Sequence, residues 1–208
     1  MKYTRFHHLA ALVLLVSAFH LASAEWEQLG PNYFVAGIPA DQFEFFAAPD
    51  VAGRQRQQNW CWAATIQMVL NFHGLYVTQE QIVERIFGHL VDAPAGESEI
   101  LAALSGWAWD VRGSYSTIHA SPYVASGPHL IHDLAYRWPL IVGLTGDPIG
   151  HAYVLTAVYY SVDEHNLPIF DKVVLRDPWP HSPSRQEMSW QEFTSKLMLT
   201  VRVYVERH

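Results

Sequence analysis

The sequence predicts an α+β domain in which a mainly helical N-terminal half packs on a C-terminal antiparallel β-sheet. In the first half, apolar residues recur at helical spacing between capping signals and glycines. The second half consists of short runs rich in β-branched and aromatic residues, with turn residues between them. Of the 208 residues, 50% are hydrophobic and 16% charged, so the chain can bury one core and is not disordered by composition.

Residues 1–24 have the features of a secretory signal peptide. Lys2 and Arg5 make the start positive, an apolar run follows, and Ala22-Ser23-Ala24 fits a cleavage site. The apolar run is shorter than the ~20 residues that a bilayer-spanning helix needs. We therefore expect cleavage after Ala24, a secreted or periplasmic protein, and no membrane contact after the signal is removed.

The mature chain is expected to have two parts. Residues 25–50 form an N-terminal segment that packs across the domain and holds an edge strand at residues 34–39. Residues 51–208 form the domain itself.

Four helices are expected in the first half of the domain. The first begins at Cys61, where a glutamine-rich loop gives way to an apolar run. Thr78 and Gln81 fit a capping box that opens the second helix. Ser98 is the expected N-cap of the third helix, and the fourth covers residues 128–136.

Four strands are expected in the second half, together with one short helix at residues 189–193 before the last strand. The cluster at residues 163–166 reads as a hairpin connection. The expected strands cover residues 140–144, 152–160, 173–175 and 199–205.

Cys61 is the only cysteine of the chain. At a helix N-terminus, unpaired backbone N–H groups and the positive end of the helix dipole favour the thiolate, which suits a nucleophile. In an oxidising compartment, a single unpaired thiol suggests either a functional role or deep burial. Its position alone leaves open an inert, buried cysteine between two tryptophans.

His151 and Asp177 are the candidate partners of this thiol. His151 stands where a glycine loop enters a strand, and Asp177 ends the next strand, just before a proline. If these strands pair as a hairpin, the imidazole at the start of one lies beside the carboxylate at the end of the other. This is the geometry by which a carboxylate orients a catalytic histidine.

Three stretches resemble the papain-like cysteine proteases: residues 59–64, with Gln55 six positions before Cys61, residues 150–155, and residues 177–180. The resemblance is strongest to a compact bacterial branch, which is related to secreted effector proteases of plant pathogens and more distantly to the peptidase domains of bacteriocin exporters. It covers the chain from about Gln55 to the C-terminus and implies the papain-like fold.

The resemblance also implies a role for each residue. Cys61 is the nucleophile, His151 the general base and acid, and Asp177 the residue that orients the imidazole. Gln55 supplies the side chain of the oxyanion hole, together with the backbone N–H of Cys61. Gln57 and Gln58 compete with Gln55, and only spacing favours the latter.

The resulting expectation is a cysteine peptidase that acts on a protein or peptide through a thioester, as a monomer and without metal or organic cofactor. Two alternatives stay open: an acyltransferase or amidase with the same triad, and a catalytically silent peptide-binding module. His129 and His132 are spaced for a metal pair, but no further ligands stand at a recognisable spacing. Signal removal takes the net charge from −7 to about −9, which disfavours nucleic acid as a partner.

Overall fold

The computed structural model describes residues 26–47, 53–106, 109–113, 115–124, 127–146 and 150–208. The predicted signal peptide, residues 1–24, lies outside these ranges. The described part contains six helices: α1 Ala40–Ala47, α2 Cys61–Phe72, α3 Gln79–Phe87, α4 Glu97–Ala103, α5 Gly127–Ala135 and α6 Trp190–Lys196. Its eight strands are β1 Trp26–Gly30, β2 Tyr33–Gly37, β3 Ser116–Pro122, β4 Leu140–Leu144, β5 His151–Val162, β6 Pro168–Arg176, β7 Arg185–Ser189 and β8 Leu197–Arg207.

The strands form one antiparallel sheet that is organised around β5. One edge of β5 pairs with β4 at its start and with β2 further along, while β6 pairs with the other edge. Beyond β4 the sheet continues through β8 to β3, and beyond β6 it ends at β7. The start of β5 is therefore paired with β4 on one edge, and β6 pairs with the other edge from Val154 onwards.

Helices cover both faces of the sheet, and each face has its own apolar core. The side chains of β4 alternate between these two cores. Ile141 packs into the core that holds α2, α3 and α4, whereas Val142 packs into the core that holds α5 and Phe193 of α6. The helical first half does pack on an antiparallel sheet, as predicted. The helix from residues 128–136, expected in the same half, lies on the opposite face.

Most of the predicted elements are present with shifted ends. The capping box of Thr78 and Gln81 opens α3, and Asp163 Oδ1 accepts from the N–H groups of His165 and Leu167 in the β5–β6 hairpin. The predicted cap at Ser98 is wrong. The N-cap of α4 is Gly96, and its N–H donates to the Glu99 side chain.

Three strands were not predicted: β1, β3 and β7. The sequence of β7 is Arg-Gln-Glu-Met-Ser, which is too polar to read as a half-buried strand, and it lies at the edge of the sheet. The N-terminal segment contributes more than the one strand expected at residues 34–39. Its β2 pairs directly with β5, and β1 pairs with β2 as the outer strand.

Within the described ranges, no helix is both long and apolar enough to cross a membrane.

Candidate active site

Cys61 is the first residue of α2, and the two tryptophans beside it fix this end of the helix. The indole N–H of Trp60 donates to the Val91 carbonyl at 2.7 Å, and that of Trp62 donates to the Ala93 carbonyl at 3.1 Å. Both indoles are buried. The Trp-Cys-Trp sequence therefore ties the start of α2 to the segment after α3.

His151 opens β5 and Asp177 directly follows β6, and these two strands pair. The hairpin prediction that placed the two side chains together is confirmed, because His151 Nε2 lies 2.7 Å from Asp177 Oδ1. The His151 side chain also hydrogen-bonds to the Cys61 thiol. Because Nε2 hydrogen-bonds to the carboxylate, the other ring nitrogen, Nδ1, is the one that can bond to the thiol. The three side chains form one hydrogen-bonded chain.

Asp177 is held by groups that the sequence did not reveal. Its Oδ1 also accepts from the Trp179 N–H at 2.8 Å, and its Oδ2 accepts from Gln186 Nε2 at 2.7 Å. Arg54 Nη1 donates to the carbonyls of Asp177 and Trp179 at 2.9 and 2.8 Å. The loop before α2 and the loop after β6 are thus joined, although no sequence signal links them.

The site shifts the pKa values of the thiol and the imidazole in opposite directions. Burial raises the pKa of Cys61, but the hydrogen bond and charge of His151 and the N–H groups of Ala152 and Trp62 bring the pKa below its ordinary value. Burial lowers the pKa of His151, yet its hydrogen bonds to Asp177 and Cys61, together with their charges, raise that pKa to about 9. The arrangement favours a thiolate beside an imidazolium.

Aromatic rings enclose the imidazole. Tyr153 meets it edge to face with ring centroids 4.7 Å apart, and Trp179 does so at 6.4 Å. Only 24% of the His151 side chain is exposed. Shielding from water strengthens the electrostatic interactions among the three side chains.

Gln55 is buried in the loop before α2. Its Nε2 donates to the carbonyls of Gln57 and Gln58 at 2.9 and 2.8 Å, so the amide holds the loop in shape. A role in the oxyanion hole requires an Nε2 hydrogen to turn towards the space above Cys61, and this role stays a prediction. Gln58 is exposed and lines a cavity with Cys61.

Two cavities meet at the thiol. One, of about 260 Å³, is lined by Gln58, Cys61, His151 and Trp179, among others. The second, of about 330 Å³, is walled by residues 94–97, with apolar side chains from α4 and the sheet. Because Cys61, Pro94, Gly150 and His151 line both cavities, the two form one groove at the thiol.

His132, one of the two histidines spaced for a metal pair, contacts a carboxylate. Its Nδ1 lies 3.2 Å from Asp133 Oδ1, whose carboxylate also pairs with Arg202 at 3.1 Å. No group of three or more metal-binding side chains occurs in the described part of the chain.

The fold and this constellation define a papain-like cysteine peptidase. The family model described as the papain-like cysteine protease AvrRpt2 matches residues 46–198. The chain belongs to that family, and it is a papain-like cysteine peptidase by that membership.

The fold also matches solved structures. The peptidase domain of Streptococcus ComA, described as a bi-functional ABC transporter involved in a quorum-sensing pathway, aligns with a TM-score of 0.51 and 15% identity, covering 74% of this chain and 96% of that one. A double-glycine-motif protease from an AMS/PCAT transporter, solved with its leader peptide, aligns with a TM-score of 0.46 and 15% identity, covering 74% and 89%. No curated protein matches the sequence.

Proposed function

We propose that this peptidase hydrolyses peptide bonds in a protein or peptide substrate through Cys61, His151 and Asp177. The observation that carries the proposal is the 2.7 Å contact between His151 Nε2 and the buried Asp177 carboxylate, with the Cys61 thiol lining the same cavity as the imidazole. Each member has the chemistry that its place demands: a nucleophile, a proton carrier and an orienting anion.

In the first step, the Cys61 thiolate attacks the carbonyl carbon of the scissile peptide. A carbon–sulfur bond forms, and the negative charge moves to the carbonyl oxygen, next to the N–H groups at the start of α2. The imidazolium of His151 donates its proton to the amide nitrogen as the carbon–nitrogen bond breaks. The amine leaves, and a thioester to Cys61 remains.

In the second step, water attacks the thioester. His151 is now neutral and accepts a proton from the water, so that hydroxide adds to the carbonyl carbon. The carbon–sulfur bond breaks, the carboxylic product leaves, and the thiolate–imidazolium pair is restored. Asp177 keeps Nε2 hydrogen-bonded through both steps and holds the other ring nitrogen towards the reacting atoms.

The groove supports an extended peptide as substrate. The cavity bounded by residues 94–97 is lined by Ile100, Leu144 and Leu199, so it accepts an apolar side chain. The cavity next to Trp179 can take the chain on the other side of the scissile bond.

Residues 1–24 support a secreted or periplasmic location after cleavage behind Ala24. Mass spectrometry of the protein from culture supernatant and periplasm tests this. A mature chain that begins at Glu25 is expected, and a chain that starts at Met1 and stays in the cytoplasm contradicts the proposal.

The catalytic proposal is tested by labelling the mature protein with iodoacetamide between pH 4 and pH 10 and following the intact mass. Because the imidazolium stabilises the thiolate, fast labelling at Cys61 is expected at mildly acidic pH. His151→Ala should move labelling towards the pKa of ~8.5 of a free thiol. His165→Ala removes an exposed histidine of the β5–β6 hairpin and should label like the wild type.

A digest of a denatured protein, followed by sequencing of new N-termini, separates the open alternatives. New N-termini that vanish in Cys61→Ala identify hydrolysis. Cross-linked products without new N-termini identify acyl transfer, and slow labelling of the wild type at every pH below 8 contradicts cysteine catalysis.

A further inference from the structure

Gln186 lies on the edge strand β7, and its side chain contacts Asp177 of the proposed triad. Its Nε2 donates to Asp177 Oδ2 at 2.7 Å. Among the hydrogen bonds of the described residues, this is the one that reaches Oδ2, since the other two donors to the carboxylate, His151 Nε2 and the Trp179 N–H, meet Oδ1. Each carboxylate oxygen is thus held separately.

The register of the sheet explains how an edge strand reaches the site. Gln186 pairs with Leu175 on β6, and Asp177 stands two residues further along the same strand direction. Diagonal neighbours of this kind lie within reach of a long side chain. The Asp177 N–H also donates to the Ser184 carbonyl at 2.8 Å, which carries the pairing past the end of the strands.

The carboxylate needs such an anchor because its terminal torsion is soft. Rotation about the last bond of an aspartate side chain has a broad, roughly two-fold profile, so packing and hydrogen bonds must select one orientation. Asp177 is 3% exposed, so an oxygen without a donor would lie unpaired in a shielded site. A donor on Oδ2 keeps Oδ1 directed at the imidazole.

We propose that Gln186 is a positioning residue of the peptidase, which fixes the Asp177 carboxylate so that His151 keeps its orientation towards Cys61. This inference rests on the proposed triad. Gln186 belongs to neither cavity at Cys61, so it acts through Asp177 and does not contact the substrate.

The first test replaces Gln186 by Met, which keeps the length of the side chain and removes the donor. The expected result is a fall in kcat of roughly 10- to 100-fold, in the range of other outer-shell partners, with KM unchanged because the groove is intact. The alkaline limb of the pH–rate profile should move to lower pH, since a misdirected carboxylate supports the imidazolium less. Gln186→Glu keeps the shape but turns the donor into an acceptor, and should lower kcat at least as much.

Gln191→Met is the matched control. It makes the same chemical change on the exposed face of α6, away from the site, and should leave kcat, KM and the pH profile unchanged. Circular dichroism and thermal unfolding of all variants show whether a loss of activity follows a loss of fold.

A double-mutant cycle separates positioning from a general structural role. In an Asp177→Ala background there is no carboxylate to orient, so adding Gln186→Met should cost less than twofold in kcat. A full additional loss in that background overturns the inference, as does an unchanged kcat and pH profile for folded Gln186→Met in the wild-type background. If Asp177→Ala itself leaves kcat unchanged, the proposed triad fails, and that outcome is distinct from failure of the positioning role alone.

Discussion

A partly buried histidine lies at each end of α2, and the pKa values of the two imidazoles are shifted in opposite directions. At the N-terminal end, burial lowers the pKa of His151, but hydrogen bonds and charges from Asp177 and Cys61 raise it to about 9. At the C-terminal end, burial and the positive charge of Arg207 lower the pKa of His73 to about 4. Burial lowers the pKa at both ends, and the hydrogen bonds and charges of the neighbours decide the outcome.

The different neighbours reflect different tasks. Arg207 donates from Nε and Nη2 to the His73 carbonyl at 3.0 and 2.5 Å, and so supplies the cation that a helix C-terminus favours. His73 beside it stays neutral, with its Nε2 buried and without a hydrogen bond among the described residues. At the other end of α2, the hydrogen bonds and charges of Asp177 and Cys61 favour the protonated imidazole.

Removal of the anion at the N-terminal end should have the largest effect on this contrast. Asp177→Asn leaves a group of the same shape but takes away the charge that supports the imidazolium. A fall in kcat/KM of roughly 10³- to 10⁴-fold is expected, as for the orienting carboxylate of other triads. The alkaline limb should shift to lower pH in the residual activity, measured with a fluorogenic peptide.

Asp171→Asn provides the control for that change, because Asp171 lies on β6, the strand that ends just before Asp177, and hydrogen-bonds to Tyr33 instead of a site residue. Activity within twofold of the wild type is expected for it. An Asp177→Asn enzyme of full activity would show that shape alone orients His151 and that the charge of residue 177 is dispensable.

The loop before α2 offers the next largest effect. If Gln55 turns its amide to the oxyanion, Gln55→Ala should lower kcat by roughly 10²- to 10³-fold, the usual cost of one lost donor. Gln58→Ala tests the neighbour that lines the cavity beside Cys61. A larger loss of kcat at Gln58 than at Gln55 would assign the oxyanion donor to Gln58 and leave Gln55 as a loop-holding residue.

What the sequence could predict depended on how local each signal is. The position of Cys61 at a helix start was readable because a polar loop changes to an apolar run within a few residues. The contact of His151 with Asp177 was readable because both stand at strand ends joined by one hairpin. Each of these inferences used residues close in sequence or a single pairing of neighbouring strands.

The rest of the site depends on contacts that no local pattern records. Gln186 lies on a polar edge strand without apolar alternation, and Arg54 reaches the Asp177 carbonyl across 123 positions of the chain. Most of the groove wall at residues 94–97 is irregular and precedes α4, so no periodic pattern of apolar residues marks it. Such contacts are set by packing of the whole sheet, which follows from topology and not from any one segment.

The pH profile of the wild type measures the pKa values at the N-terminal end of α2. In the proposed mechanism, activity needs the thiolate of Cys61 and the protonated imidazole of His151, so kcat/KM should rise with pH as the thiol ionises, at a pKa below that of a free cysteine. It should fall again near pH 9, when His151 loses its proton. About a tenfold fall is expected by one pH unit above that limb. A profile that still rises at pH 10 would contradict a thiolate–imidazolium pair.

At the C-terminal end of α2, where His73 lies, we expect an effect on stability and none on activity. The pKa of His73 in the folded protein is about 4, below the ordinary 6.5, so between these values the unfolded chain binds a proton that the folded one does not. The wild type should therefore lose roughly 2–3 kcal/mol of stability as the pH falls from 6.5 to 4. His73→Gln cannot take up this proton and should lack that part of the loss, with kcat at pH 7 unchanged.

Urea unfolding of the wild type and His73→Gln at half-unit steps from pH 4 to pH 7 measures the difference, because all other titrating groups are shared. His165→Gln removes an exposed histidine and should follow the wild type. Parallel stability curves for the wild type and His73→Gln would mean that His73 accepts a proton in the folded protein as readily as in the unfolded chain. Burial would then not keep the His73 imidazole neutral. The contrast between the two ends of α2 would come from the neighbours of His151 alone.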